Sequence, residues 1–180
     1  QEILERADGG FTIEFRPPVP AEEWNAQISL LTGMAAASMM IEAGVGVLRT
    51  MPPPSKGAVA QYRRVAHGLG AEWPRSLPYG EFIRSLDRTD PRHLALIHEA
   101  SGLFRGAGYT AFDGEVPQQR EHAAVAAPYA HVTAPLRRLV DRFGLVVCEA
   151  VSSGVEVPDA VRAALPDLAD HMRSSDRQAR

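Results

Sequence analysis

Residues 129–141 read Tyr-Ala-His-Val-Thr-Ala-Pro-Leu-Arg-Arg-Leu-Val-Asp, which puts a phenol, an imidazole, a hydroxyl, two adjacent guanidiniums and a carboxylate into one short stretch. Polar and apolar residues alternate from Tyr129 to Val132, the pattern of a short half-buried strand. Thr133-Ala134-Pro135 then gives a helix start, a capping hydroxyl followed by a proline in the first turn. Beyond it Leu136, Leu139, Val140, Phe143, Val147, Ala150 and Val151 fall on one face of a helix predicted from Leu136 to about Val151. Such a helix carries Arg137 and Arg138 in its first turn, where unpaired N–H groups already amount to about half a positive charge. Two cations there oppose the dipole. A bound anion reverses that penalty, because a phosphate takes both the backbone donors and an arginine fork. The turn therefore reads as a phosphate seat. The competing reading is that Asp141, three and four residues on, pairs with one arginine while the other is solvated.

The elements that must position this segment are mostly helices. Gln1 to Ala7 reads as a helix end, Asp8-Gly9-Gly10 as a turn and Phe11 to Phe15 as a half-buried strand stopped by Pro17, Pro18 and Pro20. Ala21 to Ala43 is the longest helix candidate, with Glu22 and Glu23 suiting the dipole at its start and Gly44 and Gly46 past its end. Its stripe of Trp24, Ile28, Leu31, Ala35 and Met39 predicts close packing inside the domain. An interfacial membrane helix is the rival, but the polar face has too few lysines and arginines for it. Val45 to Arg49 reads as a strand, and Met51-Pro52-Pro53-Pro54 as a rigid joint rather than a polyproline ligand. Ser55 caps a helix running to His67, ended by Gly68 and Gly70. Further helices are expected over Pro78 to Leu86 and from Arg92 to about Leu103, the latter capped at Thr89-Asp90-Pro91. Tyr109 to Phe112 reads as extended, and Asp113-Gly114 as a turn. Pro158-Asp159 opens a helix through Leu165, and Pro166-Asp167 starts a last one. His93 and His98, five apart, fall on different helix faces, and Asp167, Asp170 and His171 read as a solvated face, so no metal site is expected from either.

With 180 residues, 45% of them hydrophobic and 23% charged, the chain suffices for one compact domain with its own core. A formal net charge of -3 excludes coating a polyanion by bulk charge, so any such contact must come from a local patch around Arg137. The single cysteine, Cys148, cannot form an internal disulfide and reads as a core residue in a reducing compartment. No run approaches the roughly 18 apolar residues of a membrane span, and the first residues lack a signal pattern. A cytoplasmic protein without a membrane partner is expected. The start at Gln1 rather than methionine suggests a piece of a longer polypeptide, and the composition specifies no oligomeric state.

Tyr129, His131, Thr133, Pro135, Arg137, Arg138 and Asp141 resemble the signature of the RNB family, the catalytic domain of ribonuclease II and ribonuclease R, which reads approximately Tyr-Thr-His-Phe-Thr-Ser-Pro-Ile-Arg-Arg-Tyr-x-Asp. Glu121-His122-Ala123-Ala124-Val125-Ala126 is similar to the family's upstream Gly-His-Phe-x-Leu-Ala, and Arg49-Thr50-Met51-Pro52-Pro53, Leu69-Gly70 and Tyr109 follow the family's order. The resemblance covers most of the chain. It implies an α+β fold, predominantly helical with a few short strands, forming the C-terminal part of an RNB-type catalytic domain over residues 1–180. It further implies part of a 3′-to-5′ exoribonuclease that hydrolyses single-stranded RNA to nucleoside 5′-monophosphates. Arg137 would be catalytic, at the scissile phosphate, with Arg138, His131, Tyr129 and Thr133 contacting RNA; the amphipathic Tyr129 ring serves equally for packing. Magnesium is expected for the full-length enzyme, yet the family's aspartate cluster, approximately Asp-x-x-x-x-x-Asp-x-Asp-Asp, is nowhere in this sequence. The chain alone should therefore not cut RNA. Ala26 and Gln27 replace a Glu-Glu pair, Gly33 an asparagine, Leu139 a tyrosine and Leu145 a histidine. These departures leave open a degenerate RNB module that binds RNA without cleaving it, or a structural helical domain in which the arginines serve salt bridges.

Overall fold

The computed structural model describes residues 2–6, 8–14 and 19–178. Two short strands, β1 (Glu2–Glu5) and β2 (Phe11–Glu14), form an antiparallel hairpin with Ile3 opposite Ile13. The helix expected at the N-terminus is thus a strand, because its partner at Phe11–Glu14 offers a ladder that seven isolated residues could not replace with helical bonds. Phe15, Pro17 and Pro18 lie outside the described residues.

Helix α1 (Pro20–Ala43) ends on Gly44, whose left-handed φ of 71° suits a residue without a Cβ. It delivers the chain into β3 (Val45–Thr50), which pairs antiparallel with β4 (Gly108–Asp113), Val45 opposite Asp113 and Thr50 opposite Gly108. Val45, Val47 and Leu48 are buried, and the Thr50 and Thr110 hydroxyls bond across the ladder at 3.0 Å. Between these strands run helices α2 (Lys56–Gly68), α3 (Tyr79–Ser85) and α4 (Pro91–Glu99), the last continued by a 3₁₀ turn over Ala100–Leu103. Ser55 and Asp90 cap α2 and α4 as their positions in the sequence predict, accepting from Ala58 N and Arg92 N. This excursion has its own core of Tyr62, Ala66, Phe82, Leu86, Leu96, Ala100 and Leu103, with Trp73 stacked on Phe82 at 4.4 Å between centroids.

After β4 come the two-residue strands β5 (Glu121–His122) and β6 (Ala127–Pro128), then helices α5 (Leu139–Ser153) and α6 (Asp159–Gln178). The principal core gathers Met40 of α1, Val47 and Leu48 of β3, Val140 and Val147 of α5, and Leu165, Leu168 and Met172 of α6. Helices hold 54% of the described residues, an α+β architecture, mainly helical with few short strands.

Three expectations are corrected here. Helix α1 buries Gly33, Ala36, Ala37 and Met40, the face opposite the expected stripe; Trp24, Ile28 and Leu31 are 64–67% exposed. Small residues lie on the packed side because its neighbours come within backbone distance. Helix α1 is also long and apolar enough to cross a membrane by length and composition, although no run in the sequence suggested one; part of one face is committed to the protein core. Helix α6 runs unbroken through Pro166, because Leu165, Leu168 and Met172 anchor both sides of the missing N–H in the core.

Candidate nucleic-acid interface

The 129–141 segment is built against the free edge of β3. Arg49 N donates to Tyr129 O at 2.8 Å, Met51 N to Glu121 O at 3.1 Å and Ala123 N to Met51 O at 3.0 Å, so residues 121–130 lie along that strand. On its other side the segment meets α1, where Ala130 N donates to Gly33 O at 3.0 Å. A Cβ at Gly33 would overlap the Tyr129 ring and stand 2.7 Å from Ala130 O. Glycine is required there by close approach.

The rings of Tyr109, His122, Tyr129 and His131 form an edge-to-face chain. Centroids are 5.7 Å apart for Tyr109 and His131, 5.6 Å for Tyr129 and His131, and 5.9 Å for His122 and Tyr129. Tyr109 Oη and His131 Nδ1 share a hydrogen bond of 2.8 Å. Burial, then the charges of Arg138 and Arg49, push the His131 pKa down to about 4. The imidazole is neutral at physiological pH. Either the phenol or the ring nitrogen can be the donor in that bond, depending on the imidazole tautomer. His131 therefore offers a neutral ring rather than a charge.

The two arginines have separate fates. Helix α5 begins at Leu139, not Leu136, so Arg138 is the residue before its first turn and Arg137 lies in the preceding loop. The loop closes on itself instead: Arg137 N and Arg138 N both donate to Ala134 O, and Arg142 Nε donates to Pro135 O. The fully buried Asp141 takes Arg138 Nε at 2.9 Å and Nη2 at 2.7 Å, and also Ala134 N at 2.8 Å. Burial works against the Arg138 charge, but the hydrogen bonds and charge of Asp141 outweigh it and raise its pKa. Arg137 is exposed with no side-chain partner among the described residues. The alternative in which Asp141 pairs one arginine and leaves the other in water describes the pairing; the helical first-turn seat is the reading corrected. Thr133 is exposed and caps nothing, since α5 starts six residues later and has no side-chain cap. Leu136 beside it is 96% exposed, and a depression of about 390 Å³ is lined by Thr133 to Arg137.

The departures Gln27, Leu139 and Leu145 all lie at exposed positions. Cys148 is half-buried, its thiol pushed up by burial. Among the described residues no three His, Cys, Asp or Glu side chains come together, and Asp141 is consumed by Arg138 and Ala134, so these residues do not fit a magnesium pair. A larger cavity of about 610 Å³ lies elsewhere, beside Arg63, His67 and Trp73. Its arginine is spent on the carbonyls of Trp73, Pro74, Arg75 and Leu77 and on the Trp73 ring, so no free cation is aimed into it from that position. Besides the expected residues, the structure brings Arg49 and Tyr109 to the site. An arginine and a threonine closing the apolar run Val-Gly-Val-Leu are the sequence signal for the first.

No protein-family model matches the sequence, and no curated protein matches it. Solved structures do. Mycoplasma genitalium RNase R in its apo form matches with a TM-score of 0.76 at 16% identity, over 97% of this chain and 28% of that one. The same enzyme in complex with double-stranded RNA matches at 0.74 and 16% identity, over 97% and 32%. The fold is RNB-like. Yeast Ssd1, a pseudonuclease, shares it with a TM-score of 0.68 at 18% identity, over 83% of this chain and 19% of that one. The RNB-like chain thus spans between a fifth and a third of the length of these neighbours.

Proposed function

We propose that this chain is an RNA-gripping RNB-type module which, within a longer polypeptide, contributes the phosphate-contacting arginine of a 3′-to-5′ exoribonuclease acting on single-stranded RNA. One observation carries the reading. Arg137 projects into solvent without an acceptor from a loop whose backbone is fixed by Ala134, Arg138 and Asp141, in a chain with the fold found in RNase R. A guanidinium held this way meets a phosphate as a fork and stabilises charge developing on it during hydrolysis to a nucleoside 5′-monophosphate. Arg138 acts as a positioning residue, since Asp141 already holds its charge. His131 meets the strand backbone with a neutral ring, and Tyr129 and Thr133 complete the contact surface. Magnesium, if the full-length enzyme uses it, is held by carboxylates outside this chain. A cytoplasmic setting goes with this reading, where the Cys148 thiol stays reduced.

The test is a degradation assay on single-stranded RNA with magnesium, using the longest polypeptide that contains this chain beside its Arg137→Ala form. Stepwise release of monophosphates, collapsing by about a hundredfold or more in the variant, is expected from loss of one transition-state charge contact. Release that is unchanged in the variant would contradict the role given to Arg137. The second reading, a module that binds RNA without cutting, is favoured by the likeness to a pseudonuclease and by Leu139 and Leu145 where the family has polar groups. It predicts RNA retention with no release from either form.

A further inference from the structure

Arg49 is half-buried on β3, opposite Tyr109 in the ladder. Its guanidinium lies over the Tyr109 ring, with Cζ 4.5 Å from the centroid. No carboxylate or carbonyl among the described residues accepts from it. Three other arginines that lie partly buried have acceptors: Arg63 four carbonyls, Arg138 Asp141, and Arg162 Asp113 and Val157 O. A half-buried fork of five donors without an acceptor costs free energy unless something outside the chain supplies the oxygen. His122 bridges Met51, two residues along the strand, which puts its ring on the Arg49 side of the sheet. The His122 Nδ1 is buried and has no hydrogen-bond partner. Burial first, then the Arg49 charge, lowers the His122 pKa, so the imidazole adds no competing cation. The patch thus carries one uncompensated positive charge beside two neutral histidines, and it adjoins Tyr129 and His131.

We propose that Arg49, with His122 beside it, forms a second phosphate seat that grips a phosphodiester of the same RNA strand that Arg137 contacts. This rests on the RNA-gripping reading above and adds a residue to it. Arg49 N donates to Tyr129 O at the start of the 129–137 segment, so a strand running along that segment passes both arginines.

The test measures binding of a labelled single-stranded oligoadenylate to the chain by fluorescence anisotropy over a range of salt. Arg49→Gln should weaken binding about tenfold at low salt, the worth of one charged hydrogen bond. Its plot of log affinity against log salt should be shallower by about 0.7, the share of one single-strand phosphate. Arg49→Lys should recover the slope but not all of the affinity, since lysine keeps the charge and loses the stacked fork. If the wild type binds and Arg137→Ala weakens it while Arg49→Gln leaves affinity and slope unchanged, this proposal falls and the reading of the module stands. If the wild type does not bind, both fall. Should Arg49→Gln lose its near-ultraviolet circular dichroism, nuclear magnetic resonance on the wild type decides. Movement of the His122 ring protons and the Arg49 Nε–H on adding the oligonucleotide supports the seat, and silent signals overturn it. Inorganic phosphate is run in parallel; equal shifts at equal phosphate concentration would overturn the assignment to an RNA strand in favour of a free anion.

Discussion

Asp141 is fully buried yet accepts from Arg138 twice over and from the Ala134 backbone, so a single carboxylate fixes both the helix entry and the loop that presents Arg137. Replacing one member of such a pair leaves the other desolvated and alone. Asp141→Ala should therefore cost about 3 kcal/mol in urea unfolding, because the Arg138 side chain is only 17% exposed. Arg137→Ala, at an exposed site, should stay within about 0.5 kcal/mol of the wild type in the same experiment. A loss at Asp141 no larger than that at Arg137 would mean that the pair does not organise the loop. His131 gives a pH prediction. Its pKa falls from 6.5 in the open chain to about 4 when folded, so on acidification the unfolded state takes the proton first. Its contribution to stability is complete above about pH 6.5 and is lost as pH falls toward about 4. Melting temperature between these limits should decline more steeply in the wild type than in His131→Gln. His122, lowered in the same direction, keeps some slope in the variant.

Helix α1 is the element on which sequence and structure differ most instructively. Its extent was legible from Glu22, Glu23 and the closing Gly44, because capping and dipole signals are local. Which face it buries was not. Trp24, Ile28 and Leu31 are the larger apolar groups, but Gly33, Ala36 and Ala37 let α1 reach the 129–130 backbone and α5. Closeness of approach, a property of the neighbours, selected the small side. The same logic explains α5, whose start moved from Leu136 to Leu139 because Ala134 O and Asp141 close a non-helical loop around Pro135. Helix α6 kept Pro166 because packing on both sides outweighs one lost bond. Gly33→Ala is the sharpest test at this scale. The new methyl has to displace Tyr129 or Ala130, so a loss of about 1–3 kcal/mol and weaker RNA binding are expected together. A variant that melts and binds like the wild type would show that the Tyr129 ring moves aside freely.

At the scale of the whole molecule, an antiparallel pair, β3 and β4, is separated in sequence by three helices with their own core and is flanked by α1, α5 and α6. Such long-range pairing leaves no local mark, which is why Arg49 and Tyr109 were readable as motif fragments but not as neighbours. The segment from Tyr129 to Asp141 was readable as a site because its chemistry is contiguous, whereas the division of labour between Arg137 and Arg138 depended on where one buried carboxylate lies. A net charge of -3 means that the proposed affinity for RNA has to come from this patch, with a salt slope set by only a few phosphates. The most direct measurement is the equilibrium affinity of the chain for single-stranded RNA across a salt series, with Arg137→Ala beside the wild type. Binding that weakens as salt rises, and that loses about one phosphate's share of slope in the variant, is the predicted result. Affinity indifferent to both salt and Arg137 would contradict the account.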